Sequence, residues 1–187
     1  MLLEIPFERF LEKPITESGL LLLNEVIKAH DLAATTNQNA SSAACVNALS
    51  GSGSFSNGVA SAILTLGKHH GPISDARMVY ENFTEDSVRQ WIQVGGKVPG
   101  FGNSFFKDSI DPAWIRVDVF LNNKFPTVYD RIQELGRFVE LTVGKKIYPN
   151  AALFTAAACS EIGVAHGFES AVFIISRIPA WGGLCRS

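Results

Sequence analysis

Apolar residues recur at helical spacing along most of this chain, and no run alternates convincingly with a period of two. A chain patterned this way must bury helix against helix, so the expected fold class is all-α. Leu21, Leu22, Glu25, Val26 and Ala29 outline a first amphipathic helix. Ala40 to Leu49 and Val59 to Leu66 are rich in Ala, Ser and Val, with the flexible Gly51-Ser52-Gly53-Ser54 between them. Such small residues let backbones approach closely, which predicts a dense helix pair or a dimer seam. Gly67 is placed to end the second of the two.

Ser74 and Thr84 are expected N-caps of two further helices, the second closing at Gly95-Gly96. Lys97-Val98-Pro99-Gly100-Phe101-Gly102 holds too much Pro and Gly to be helical. Asp111-Pro112 combines a cap with a proline in the first turn, a strong helix start. Val128, Ile132, Leu135, Val139 and Val143 mark one face of a longer helix. After a turn at Tyr148-Pro149-Asn150, a helix is expected from Ala151 to Glu161, stopped by Gly163. A last one runs from Phe168 to Arg177 and is broken by Pro179. Residues 1–187 read as a single domain without internal repeats.

Of the 187 residues, 47% are apolar and only 18% charged, which argues against disorder and leaves apolar surface for a subunit interface. A homodimer is the expectation. The net charge of −2, with basic residues scattered, offers no footprint for nucleic acid or an anionic membrane. Small molecules and copies of itself are the partners that remain. Glu4, Glu8 and Glu12 break any signal-peptide pattern, and Gly19 to Leu23 is too short to span a bilayer. Cys45, Cys159 and Cys185 lie far apart with no metal-ligand spacing, which suits reduced thiols in a cytoplasm and core packing over catalysis.

The unusual residues gather in three loops: Gly67-Lys68-His69-His70-Gly71-Pro72, Pro99 to Gly102, and Lys145-Lys146-Ile147-Tyr148-Pro149-Asn150. Gly-rich loops expose backbone amides and carbonyls to a ligand, and nearby lysines attract phosphate. Their order and spacing resemble the citrate synthase and citryl-CoA lyase superfamily. There a "Gly-x-x-His-Gly" turn is followed by "Lys-x-Pro-Gly-Phe-Gly-His", then "Asp-Pro-Arg", "Tyr-Pro-Asn-Val-Asp" and a late "Ser-Arg". The corresponding stretches are Gly67 to Gly71, Lys97 to Asn103, Asp111 to Ala113, Tyr148 to Ala152, and Ser176-Arg177. Upstream, Asn39-Ala40-Ser41-Ser42 resembles the family's "Asn-Ala-Ser-Thr", and Asn57-Gly58-Val59-Ala60 follows its pattern. The likeness covers roughly residues 35 to 182, and in length the chain is closer to citryl-CoA lyase than to full citrate synthase.

The resemblance implies an acyl-CoA site and no metal. Pro99, Gly100, Phe101 and Gly102 would wrap coenzyme A with backbone groups, and Lys107, Lys145, Lys146 and Asn150 would meet its phosphates and pantetheine. His70 would hydrogen-bond the thioester oxygen as it becomes enolic, and Arg177 would bind the carboxylate of a second substrate, a carboxylic acid. The departures are as specific. The loop ends in Asn103 where the family has histidine, so Asn103 is the candidate to share carbonyl polarisation with His70. Ala152 replaces the carboxylate base, Ala113 an arginine and Thr36 a histidine. His69 and Glu161 are the replacement acids or bases to consider, although Glu161 reads as a solvated helix residue. His30 and His166 read as ordinary structural histidines. Two functions follow: carbon–carbon bond chemistry at an acyl-CoA thioester, or an inactive homologue kept as a CoA-binding or interaction module.

Overall fold

The computed structural model describes residues 9–36, 39–67 and 70–184, and these form nine helices and no strand. In chain order they are α1 (Glu17–Thr36), α2 (Ala40–Ser52), α3 (Phe55–Leu64), α4 (Ile73–Glu81) and α5 (Glu85–Gly95), then α6 (Pro112–Lys124), α7 (Pro126–Val143), α8 (Ala151–Ile162) and α9 (Glu169–Leu184). None of these helices is long and apolar enough to cross a membrane.

Local chemistry accounts for most of the boundaries. Asn39 caps α2 by accepting the Ser42 amide, and Thr84 closes a reciprocal capping box with Ser87 on α5. Asp111 accepts from the Ala113 amide at 3.0 Å with Pro112 in the first turn of α6. Asn150 caps α8, and Gly163, in the left-handed region at φ 77°, ends it.

Tertiary packing overrode three expectations. Gly67 does not end α3, which stops at Leu64; it pairs instead with His70, N–H to carbonyl in both directions at 2.9 and 3.2 Å. Ser74 does not cap α4, which begins at Ile73, because its hydroxyl donates across the fold to Glu169 Oε2 at 2.9 Å. Pro179 does not break α9, which continues to Leu184. Ala180 and Trp181 beyond it are fully buried, Trp181 against Cys45 and Ala62, and that burial offsets the hydrogen bond the proline removes.

α1 lies at the centre, packed against α6, α8 and α9. Leu22, Val26, Trp114, Val117, Leu153 and Phe154 meet there without solvent contact. The small-residue helices α2 and α3 pack on each other, and a Cβ added at Gly58 would come 2.9 Å from the Cys45 carbonyl, so only glycine permits that approach. A buried ion network pins the start of α9. Arg77 on α4 reaches Glu169 through Nη1 (3.0 Å) and Glu81 through Nε (2.7 Å), and donates to the Val164 carbonyl. Arg177 lies two turns further along that anchored helix.

Candidate active site

Two groups of side chains face each other across the N-terminal half of α8. The first is a pair of loops. The Gly102 amide donates to the Tyr148 carbonyl and the Asn150 amide to the Gly100 carbonyl, both at 2.9 Å. The Asn150 side chain adds a third bond, Nδ2 to the Gly102 carbonyl at 2.8 Å, while its oxygen accepts the Ala152 amide. Gly100 sits at φ 88° with Leu153 so close that a Cβ would lie 2.9 Å from that side chain. Phe101 turns into the core, and Pro99 and Gly102 are partly exposed.

The basic residues expected for phosphates surround this pair unevenly. Lys146 stacks its ammonium over the Tyr148 ring at 4.9 Å, which orients it. Lys145 lines an open cavity of about 490 Å³ with Arg137, Glu140, Leu141 and Gly144 at the end of α7. Arg137 thereby joins the candidates for a phosphate, and sequence spacing did not single it out. Lys107 is exposed in the connection that precedes α6.

The second group is a chamber built on Phe173. The ring meets His70 edge-on at 6.1 Å, carries the Arg177 guanidinium at 5.0 Å, and packs with Ala152, Ala156, Ile73 and Ala76. His70 and Arg177, distant in sequence, are thus brought together on one aromatic platform. His70 Nε2 lies 3.1 Å from Ser41 Oγ, and that hydroxyl donates to Asn39 Oδ1 at 2.8 Å. Ser41 has one proton, so in this arrangement it accepts from His70, whose Nδ1 is left as a bare acceptor. Turning the Ser41 hydroxyl toward Nε2 would move the ring proton to Nδ1 and make it a donor. Burial, helped by the positive charge of Arg177, holds the His70 pKa below the ordinary range, so the ring is neutral at pH 7.

His30 packs into this chamber from within α1, where a loop or helix-end position was expected. It is fully buried within α1 and accepts the Arg177 Nε–H through Nδ1 at 3.2 Å. Burial first, and Arg177 second, push its pKa well below the usual value. Its signal in the sequence was weak: a histidine one residue after Ala29 on the apolar face of α1. Arg177 itself is buried, which pulls its pKa down to about 10 against the opposing pull of Asp111 and Asp31.

Other candidates fall away from the chamber. Asn103 accepts the Phe105 amide in its own loop (2.8 Å), and no bond joins it to His70 or Arg177 among the described residues. Its amide NH2 is the group left to face a ligand. Glu161 is exposed at the far end of α8, about 13 Å of helix rise from Ala152, and cannot substitute for a base there. His166 is exposed in the α8–α9 connection with Nε2 3.2 Å from Glu81. Ala113 and Ala152 are both buried, 4% and 5% exposed, and offer no ionisable group. Cys159 is inert, its thiol pushed up to about 12 by burial, and Cys45 is buried in a separate cluster with Ala62 and Trp181. His69, Cys185 and the side chain of Thr36 lie outside the described residues.

The model of the citrate synthase C-terminal domain family matches residues 28–183. Among solved structures, a citryl-CoA lyase from Hydrogenobacter thermophilus superposes with a TM-score of 0.74 at 22% identity, covering 93% of this chain and 70% of that one. A Thermoplasma acidophilum citrate synthase solved with carboxymethyl coenzyme A and oxaloacetate gives 0.68 at 23%, over 93% and 49%. The Thermotoga maritima citrate synthase gives 0.65 at 24%, over 86% and 48%. The chain therefore spans about half the length of these citrate synthases. No curated protein sequence matches it significantly.

Proposed function

The chain belongs to the citrate synthase family, and from that premise we propose that it binds an acyl-CoA thioester and makes or cleaves a carbon–carbon bond beside the thioester carbonyl. The observation that carries this reading is the double role of Asn150. One side chain ties down the Pro99–Gly102 loop and heads the helix whose next residues border the His70–Arg177 chamber. A ligand laid along the loops would reach the chamber with its thioester end. Lys145, Lys146 and Arg137 would meet the phosphates as mobile or bidentate cations.

In the chamber, His70 supplies the neutral imidazole. With its proton on Nδ1 it stabilises an enolic oxygen by donation; with Nδ1 bare it accepts a proton. Arg177 supplies a buried positive charge for the carboxylate of a second substrate, and Asn103 a neutral donor at the loop's edge. We further place the protein in the cytoplasm as a homodimer. Leu64, 85% exposed at the end of α3, and the small-residue α2–α3 pair support that interface. Coenzyme A enters as substrate, and the reading calls for no metal.

A second reading has a specific observation behind it. Ala152 is packed with Ile73, Ala76, Ala156 and Phe173, an apolar enclosure where α-proton removal needs a carboxylate. A CoA-binding or interaction module without catalysis is the form that enclosure favours. Calorimetric titration with CoA and acetyl-CoA, then incubation with oxaloacetate or citryl-CoA and detection of free thiol, separates the readings. Turnover that disappears in His70→Ala supports the enzyme. Binding without turnover supports the CoA-binding module, and no binding overturns every CoA reading and leaves the interaction module.

A further inference from the structure

The contact between His30 and Arg177 has only one possible polarity. Arginine Nε can only donate, so His30 Nδ1 accepts and the neutral ring carries its proton on Nε2. That proton meets Thr155 Oγ1 at 2.9 Å, and the Thr155 hydroxyl passes on to the Ala151 carbonyl at 2.7 Å. Trp114 and Phe173 stand edge-on to the ring at 4.9 and 4.8 Å and block its rotation. The chain of bonds thus runs from α8 through α1 to one face of the guanidinium.

The other face is incomplete. Arg177 Nη1 is buried and has no hydrogen-bond partner among the described residues. An unpaired donor on a buried charge is costly, and such groups persist where a ligand completes them. Asp111 and Asp31 act on the guanidinium from within the chain, and the unpaired Nη1 is the donor left for a carboxylate of a ligand.

We infer that His30 is a positioning residue for Arg177, holding Nη1 toward a carboxylate of the second substrate. This rests on the acyl-CoA reading for its chemistry and deepens it by naming the residue that fixes the carboxylate-binding arginine.

Calorimetric titration with pyruvate and oxaloacetate as carboxylate probes tests it alongside a separate CoA titration. His30→Phe keeps a ring of similar volume without an acceptor, and His30→Asn restores an acceptor oxygen near the Nδ1 position. At least one of the two should bind the native protein, weaken at least about tenfold in the Phe variant, and recover in the Asn variant. CoA should titrate equally in all three proteins. Unchanged carboxylate affinity in H30F, no recovery in the Asn variant, or no binding of either carboxylate to the native protein overturns the inference. The CoA titration judges the acyl-CoA reading independently. Should H30F fail to fold, the native protein decides by NMR: a solvent-protected Nε–H signal, assigned by its loss in Arg177→Lys, is expected, and rapid exchange of that proton overturns the inference.

Discussion

Asn150 accepts the backbone amide of Ala152 at 2.9 Å, so the residue that caps α8 also fixes the position at which the family pattern has a carboxylate. The same side chain binds the Gly102 carbonyl, which links the Pro99–Gly102 loop to the chamber. Restoring the acid there is a direct experiment. Position 152 lies in the first turn of α8, where the helix dipole favours a negative charge. Ala152→Asp should raise α-proton exchange of acetyl-CoA in deuterated water by about a hundredfold or more over the native chain, the range of one general base. No gain would mean that the chamber does not receive the acyl group.

Lys145→Ala with Lys146→Ala should weaken CoA binding, read as a smaller thermal shift at fixed CoA, while leaving the stability of the unliganded protein nearly unchanged. Both side chains are exposed, so their removal disturbs no core. Arg137→Ala should act in the same direction, since Arg137 shares the cavity with Lys145. An unchanged shift in the double variant would move the phosphate site elsewhere.

Gly100→Ala should lower both stability and CoA affinity. Its Cβ would meet Leu153 at 2.9 Å, at a φ of 88° that side chains rarely adopt. A loss of about 1–3 kcal/mol in urea unfolding is expected, of the size found for overpacking and backbone strain. Gly144→Ala, with open space around it, serves as the control for strain alone.

Glu169→Ala should cost about 3–5 kcal/mol, because Arg77 would remain buried with one partner carboxylate gone. Replacing both Arg77 and Glu169 with apolar residues of similar volume should cost less than the single change. Chemical denaturation of the three proteins measures this.

Acid should destabilise the fold earlier than its carboxylates alone require. His30 and His70 both have folded pKa values below their unfolded value of about 6.5. The unfolded chain therefore binds their protons first, and stability is full above about pH 6.5 and declines as pH falls below it. His30→Phe should flatten that decline by about one proton's worth of slope between pH 6.5 and 5, measured by urea unfolding across that interval.

Much of the fold is legible in the order of residues because helix ends are local events. The caps at Thr84 and Asp111 each act within three residues of themselves, so reading the chain finds them, and Asn39 and Asn150 cap just as locally within a motif and a turn that the sequence marks. The loop that resembles a coenzyme cradle, the turn that carries His70, and the vacancies at Ala113 and Ala152 are likewise visible as ordered motifs. What the sequence could not reveal is set by partners far away along the chain. Ser74 left its helix start to bond Glu169, and α9 passed through Pro179 because Trp181 had a place in the core. His30 lies 147 positions from Arg177, and its neutral, one-sided tautomer exists only because three helices close around it. Hydrogen-bond polarity and buried charge depend on what surrounds a group, and only the folded chain supplies those surroundings.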